Sequence, residues 1–246
     1  MANWSDPRIG STQPAVTAGR DVAFDAGLRS HMLSVYNYMT SGVLLTGIVA
    51  LLFAQGGANS LAAQIFIGGG ILKWVVMLSP LALVMWLSFG INSMSEGTAK
   101  VLFWVYSALM GASLSFIFLI YTGGSIALTF FATAGAFGSL SLYGYTTKKD
   151  LSAWGSFLIM GVVGLIVASI VNLFWMNDTF SLAIAAVGVL IFAGLTAYDT
   201  QKIKSIYFQL AGSQFLGKAA IMGALELYLD FINMFLFLLR FMGSRD

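Results

Sequence analysis

The 246-residue chain has no cysteine, only one histidine, and very few charged residues. Without cysteine it can form no disulfide and offers no thiolate nucleophile or thiolate metal ligand, and His31 is its one imidazole. The chain therefore lacks the side chains that most enzyme reactions and most metal centres require. We therefore expect a protein that is not an enzyme and that holds no cofactor.

Charge is scarce as well. Charged residues make up 9% of the chain, against about 25% in an ordinary soluble protein, and hydrophobic residues make up 59%. A soluble domain could not bury so much apolar surface, so the composition predicts a polytopic protein whose main partner is the lipid bilayer. The net charge of +2 gives no reason to expect a nucleic-acid partner.

Seven apolar stretches are long enough to cross a bilayer, which takes about 20 helical residues each. Because irregular backbone is not tolerated against lipid, each stretch is expected to be helical. The sequence therefore predicts an all-α membrane domain over residues 34–246, with residues 56–70 as a loop. The spans are predicted at about 34–54, 73–96, 101–121, 126–145, 154–175, 180–199 and 221–241.

Residues 1–33 are predicted to form a flexible tail before this domain. Pro7, Pro14 and scattered charges interrupt the segment, which lacks the continuous apolar region of a cleaved signal peptide. Its last part, from Arg20 to Leu33, mixes apolar and charged residues in a pattern typical of a short helix lying along the membrane surface.

The basic residues indicate the orientation of the spans, because they accumulate in cytoplasmic loops. If the N-terminus is cytoplasmic, nine basic residues lie inside and three outside. The inner set is Arg8, Arg20, Arg29, Lys100, Lys148, Lys149, Lys202, Lys204 and Lys218, and the outer set is Lys73, Arg240 and Arg245. An odd number of spans then places the C-terminus outside.

Two aspartates are the candidate functional residues. Asp199 closes the sixth apolar stretch and Asp230 lies inside the seventh. An ionisable group within a span costs about 2.5 to 3.5 kcal/mol on insertion scales, which favours a functional interpretation. A structural interpretation stays open, in which Asp230 is merely hydrogen-bonded to neighbouring helices and Asp199 faces the cytosol at a helix end.

Span seven carries further polar residues on the same helical face. Glu226, Asp230 and Asn233 recur at helical spacing, so this helix cannot face lipid all round. It is predicted to lie inside the bundle, wrapped by the other six spans, with Glu226 and Asn233 as accessory residues of the site.

Small residues recur on span three at Ser107, Gly111 and Ser115. Such spacing lets another helix backbone approach closely. We favour packing within the protein over a dimer face.

Three segments resemble the signature motifs of the Bax inhibitor-1 family of membrane proteins. They are TKKDLSAWGSF (Thr147 to Phe157), GLTAYDTQKIK (Gly194 to Lys204) and LYLDFINMFLFLLRF (Leu227 to Phe241). The resemblance extends from about residue 20 to the end of the chain. It implies a bacterial inner-membrane protein of seven helices, with the last helix at the centre. It also implies a pH-sensitive Ca²⁺ leak governed by a pair of aspartates that matches Asp199 and Asp230.

The chemistry of such a pair suits this role. Two carboxyl groups held close together in a low-dielectric site cannot both ionise cheaply, so they are expected to share a proton and to titrate in coupled steps. A high-affinity Ca²⁺ site needs about six to eight oxygen ligands. Asp199 and Asp230 are therefore predicted to sense pH, to gate the ion path and to bind Ca²⁺ weakly, as a transported ion and not as a cofactor.

The chain departs from the family pattern in two places. In some members an arginine of the second span latches the aspartates, but no arginine occurs here between Arg29 and Arg240. The second span offers only Ser88, Asn92 and Ser93 near its inner end. Glu226 is the other departure, because it adds a third carboxylate, and repulsion among the three is expected if they cluster with no positive charge to neutralise them.

Two other functions are weighed against the leak. The resemblance also allows an interaction protein that restrains a membrane-bound protease or another membrane complex. An intramembrane aspartyl protease would likewise use two aspartates on its sixth and seventh helices. That alternative is remote, because Tyr228 and Leu229 stand where those enzymes have glycine, and Pro80 is the last proline of the chain.

Overall fold

The computed structural model describes the backbone of residues 14–244 and the side chains from residue 25 onward. Residues 1–13 of the predicted tail lie outside the described residues. Within the described part, the chain is helical and has no strand. Its helices are α1 (Pro14–Ala54), α2 (Leu61–Phe66), α3 (Ile71–Gly90), α4 (Glu96–Leu114), α5 (Gly123–Thr146), α6 (Ser152–Trp175), α7 (Asp178–Leu210) and α8 (Leu216–Met242).

Seven of these helices, all except the short α2, are long and apolar enough to cross a membrane. A 3₁₀ segment, Ser115–Leu119, prolongs α4, so that the third span covers Glu96–Leu119. The predicted all-α fold with seven spans is confirmed.

The first helix is longer than expected. α1 continues from Pro14 to Ala54 without a break at residue 33, and its candidate span begins at Asp25. Leu28 and Met32 are buried in the core, in register with Val35 further along the helix. The separate surface helix predicted from Arg20 to Leu33 is therefore wrong. Leu28 and Met32 continue the helical spacing of the span and belong to the hydrophobic core.

The segment predicted as a loop over residues 56–70 contains structure. A 3₁₀ turn at Gly57–Asn59 leads into α2, whose first turn is capped by Ser60: the hydroxyl oxygen accepts a hydrogen bond from the amide of Ala63 at 3.1 Å. Ala62 and Ile65 are buried. The loop prediction is wrong here because this short segment buries apolar side chains of its own.

The sixth span also extends further than predicted. α7 ends at Leu210, eleven residues beyond Asp199. Thr200, Ile203 and Tyr207 are buried at helical spacing in this extension, and the ring of Tyr207 lies 5.5 Å from that of His31 on α1. Asp199 therefore lies within a helix and does not close it.

The last helix is the most buried of the spans. In its most apolar stretch 61% of the residues are buried, compared with 11% in α3 and in α6. α8 packs extensively against α1, α4, α5 and α7, whereas α3 packs chiefly against α4 and α6 against α7. Enclosure of α8 by all six other spans is not confirmed.

Small residues bring the helix pairs together. A β-carbon on Gly111 would lie 2.5 Å from the carbonyl oxygen of Thr46 on α1, and the Thr46 hydroxyl donates to the carbonyl of Ser107 at 2.8 Å. The small residues of span three therefore serve packing within the protein, as we favoured. Gly144 of α5 has the same role against α7, where a β-carbon would collide with the carbonyl of Ala197.

Candidate functional site

Asp199 of α7 and Asp230 of α8 meet between the two helices. Their carboxyl groups lie close enough to form a hydrogen bond with each other when one of them is protonated. A carboxylate has only acceptors, so this bond requires a proton on one of the two groups. The pair is shielded from solvent, since Asp230 is 4% exposed and the side chain of Asp199 is 13% exposed.

A lysine and a glutamate lie beside this pair. The Lys202 ammonium donates a hydrogen bond to Oε1 of Glu226 at 2.8 Å, and it lies 4.0 Å from Oδ1 of Asp199. Lys202 is three residues after Asp199 on α7, and Glu226 is one turn before Asp230 on α8. We call Asp199, Lys202, Glu226 and Asp230 together the charged cluster.

Two carboxyl oxygens of the charged cluster have no partner. Oδ2 of Asp230 and Oε2 of Glu226 are buried and accept no hydrogen bond from any described residue. A buried acceptor without a partner costs about 1 to 3 kcal/mol. These two oxygens are therefore free to accept hydrogen bonds from water.

Asn233 does not join the charged cluster through a hydrogen bond. Its side-chain amide donates to the carbonyl oxygen of Leu229, one turn earlier in the same helix, at 2.8 Å. The predicted accessory role of Asn233 therefore stays a prediction, whereas Glu226 lies in the site.

A polar cleft of about 370 Å³ reaches Lys202 from the loop between α5 and α6. Gln201 fastens this loop to α7: its side-chain oxygen accepts from the amide of Leu151 at 2.9 Å, and its nitrogen donates to the carbonyl of Lys149 at 2.8 Å. The cleft is lined by Lys148, Lys149, Asp150, Ser152, Tyr198, Gln201, Lys202 and Ser205. It gives the charged cluster a polar approach from one end of the bundle.

Comparison with known proteins decides the family. A family model described as "Inhibitor of apoptosis-promoting Bax1" matches residues 28–246. The chain belongs to the Bax inhibitor-1 family. The resemblance seen in the three sequence motifs is confirmed, and with its seven apolar helices the chain is an integral membrane protein.

Several bacterial relatives are similar along almost their whole length. An uncharacterized protein of Rickettsia prowazekii is 46% identical, over 96% of this chain and 99% of the relative. An uncharacterized protein of Caulobacter vibrioides is 47% identical, over 91% and 92% of the two chains. The inner membrane protein YbhL of Escherichia coli K12 is 46% identical, over 89% and 94%.

The second span of this chain has no arginine to lie beside the aspartates. Asn92 and Ser93 lie just after α3, where the carbonyl of Asn92 accepts a hydrogen bond from Lys218 at 3.3 Å and the hydroxyl of Ser93 donates to the carbonyl of Gly90 at 2.9 Å. Neither hydrogen bond involves the charged cluster. The positive charge beside the aspartates comes from Lys202 of α7.

Our sequence reasoning missed Lys202 as a site residue because α7 was expected to end at Asp199. The burial of Ile203 and Tyr207 shows that the helix continues, which places Lys202 on the same side as Asp199. The apolar spacing of these two residues is the signal that could have found it. Lys202 supplies a positive charge that the sequence analysis did not place beside the three carboxylates, and it is paired with Glu226.

Proposed function

We propose that this protein lets Ca²⁺ or a similar cation leak across the bacterial inner membrane, and that the proton shared by Asp199 and Asp230 controls the leak. The observation that carries the proposal is the close approach of these carboxyl groups at a site where Asp230 is 4% exposed. Neither catalysis nor a cofactor is needed for this role. The printed name of the Escherichia coli relative supports the choice of the inner membrane.

The proton sets the charge of the cluster. While the pair holds its proton, it carries one negative charge, and Glu226 and Lys202 neutralise each other. Loss of the proton adds a second negative charge and removes the hydrogen bond that joins α7 to α8. Two like charges about 4 Å apart repel by about 4 kcal/mol at the effective dielectric of a partly wet site. This is enough to separate the side chains or to draw a cation between them.

Lys202 takes the place of a latch in this mechanism. Its ammonium binds Glu226 but lies only 4.0 Å from Asp199, so a small movement of the side chain transfers it to the aspartate. An ionised pair competes better for Lys202 than a protonated pair. The position of Lys202 therefore follows the protonation of the pair.

Weak ion binding suits a leak. Within residues 25–244, no group of three or more histidine, cysteine, aspartate or glutamate side chains is placed to hold a metal ion. A tight Ca²⁺ site needs about six to eight oxygen ligands, and conduction requires an ion to leave as readily as it enters. Asp199 and Asp230 are accordingly proposed as a transient contact for Ca²⁺.

The proposed orientation follows the basic residues. The α1 start and the loops after α3, α5 and α7 lie toward one end of the bundle, where Lys218 reaches the loop after α3. The chain after α8 lies at the other end, where the amide of Ser244 donates to the hydroxyl of Ser125 at 2.9 Å. The Lys-rich end, with the N-terminus, is proposed to be cytoplasmic.

The decisive experiment is Ca²⁺ flux into vesicles that contain only the purified protein, measured across a series of pH values. Flux above that of protein-free vesicles, with a sigmoidal pH dependence, supports the leak. Absence of flux at every pH overturns it and favours the other role, a membrane interaction protein that acts on a protease or another complex.

A further inference from the structure

A second feature, separate from the charged cluster, is a deep groove between α1 and α5. It has a volume of about 820 Å³, within the range of about 300 to 1,000 Å³ found for small-molecule sites. Phe231 of α8 forms part of its floor. The walls are almost wholly apolar and include Met39, Val43, Leu44, Phe130, Phe137 and Leu142.

The groove runs along the lengths of α1 and α5. On α1 it extends from Arg29 to Leu44, and on α5 from Tyr145 back to Phe130. Fifteen helical steps of 1.5 Å make it about 22 Å long. One leaflet of the hydrocarbon core is about 15 Å deep, so the groove is long enough to hold an extended acyl chain that starts at the membrane surface.

Positive charge gathers at one end only. Arg29 lines the groove there, is exposed, and makes no ion pair or hydrogen bond with any described residue, including Asp25 one turn away. Lys204 lies at the same end, where its ammonium donates to the carbonyl of Tyr145 at 2.9 Å. At the opposite end the walls are Leu44 and Phe130. The groove is thus apolar along its length and cationic at its mouth.

We propose that this groove binds an anionic phospholipid, with one acyl chain between α1 and α5 and the phosphate at Arg29. The guanidinium group matches two phosphate oxygens with parallel hydrogen bonds, and Lys204 adds a second positive charge nearby. The apolar walls exclude a free polar anion as the main occupant, because most of the site could make no hydrogen bond to it. The lipid would also fill the gap beside Phe231 of the most buried helix.

The test uses native mass spectrometry of the full-length protein with phosphatidylglycerol, and with phosphatidylcholine as the zwitterionic comparison. Gly138 lines the groove, and a β-carbon there meets no atom within 4 Å, so Gly138→Leu adds an apolar side chain to the groove wall from a position with open space. Gly135 on the same helix also has open space around it and is not part of the groove lining, so Gly135→Leu is the matched control.

The parent protein and Gly135→Leu should retain one tightly bound phosphatidylglycerol, and Gly138→Leu should lose it. Arg29→Gln should reduce the preference for phosphatidylglycerol over phosphatidylcholine about fivefold, which corresponds to about 1 kcal/mol for one basic residue. Soluble glycerol phosphate should not displace the lipid. The proposal is overturned if Gly138→Leu retains as much lipid as the parent, or if the parent shows no preference for phosphatidylglycerol. It is also overturned if glycerol phosphate displaces the lipid, or if an apolar protein helix occupies the groove in place of lipid.

Discussion

The ammonium group of Lys202 on α7 lies 2.8 Å from Oε1 of Glu226 on α8. This ion pair joins the two helices that carry the two aspartates, one turn from Asp230. It gives the charged cluster a positive group that does not come from the second span.

Replacing either aspartate by asparagine should flatten the pH dependence of cation flux. Asp199→Asn and Asp230→Asn each leave one carboxyl group, so the shared proton and the coupled titration disappear. Flux in vesicles should then change less than about twofold across the range in which the parent changes. Asp178→Asn is the control, because this exposed carboxyl lies in the first turn of α7, at the opposite end of the membrane-spanning part of the helix from Asp199. An unchanged profile in both pair variants places the titrating group elsewhere.

Glu226→Gln should move the midpoint of the flux profile to lower pH. The substitution removes a negative charge near the pair and frees Lys202 to approach Asp199, which is already 4.0 Å away. Both effects favour the ionised pair, so the proton leaves at a lower pH. We expect a shift of about one pH unit, which corresponds to a change of about 1.4 kcal/mol in the interaction of the ionised pair with its neighbours. A shift to higher pH would contradict the arrangement of the charged cluster.

Lys202→Met should have the opposite effect on the same measurement. Without the ammonium group, Glu226 is left without its partner and Asp199 without its nearest positive charge. The pair then holds its proton to a higher pH, by about one unit or more. Lys73→Met, at the start of α3 and at the opposite end of the bundle from the cleft, changes the net charge equally and should leave the midpoint in place. If both variants shift alike, the effect is one of overall charge and not of the ion pair.

Gly144→Val should destabilise the protein. A β-carbon on Gly144 collides with the carbonyl of Ala197, so α5 and α7 must move apart. Overpacking of this kind typically costs about 1 to 3 kcal/mol. Thermal unfolding in detergent measures the loss, with Gly135→Ala as control because its β-carbon meets no atom within 4 Å. Equal midpoints for the two variants would show that α5 and α7 tolerate wider spacing.

A reporter fused after Asp246 should be found outside the cytoplasm and one fused before Met1 inside it. Seven crossings place the two ends of the described chain on opposite sides, and the bias of basic residues sets which side is which. Reporters of opposite preference, active only in one compartment, distinguish the outcomes. A cytoplasmic signal at both ends would require one of the seven helices to enter and leave by the same face.

The local sequence was enough to predict the number of spans, their helical class and the two aspartates of the candidate site, and its motifs indicated the family. These properties can be read locally because a bilayer requires about 20 apolar residues in a helix and penalises every ionisable group inside it. The same local reading placed helix ends wrongly at residues 33 and 199, where buried Met32 and Ile203 continue their helices by packing against distant partners.

Only the tertiary structure decided which groups meet. The partner of Lys202 lies 24 residues away on another helix, and the mouth of the groove combines Arg29 of α1 with Tyr145 of α5. No periodicity within one segment encodes such pairs, because they depend on how the helices are rotated and spaced. Small residues such as Gly111 and Gly144 set that spacing through contacts that exist only once the helices have packed.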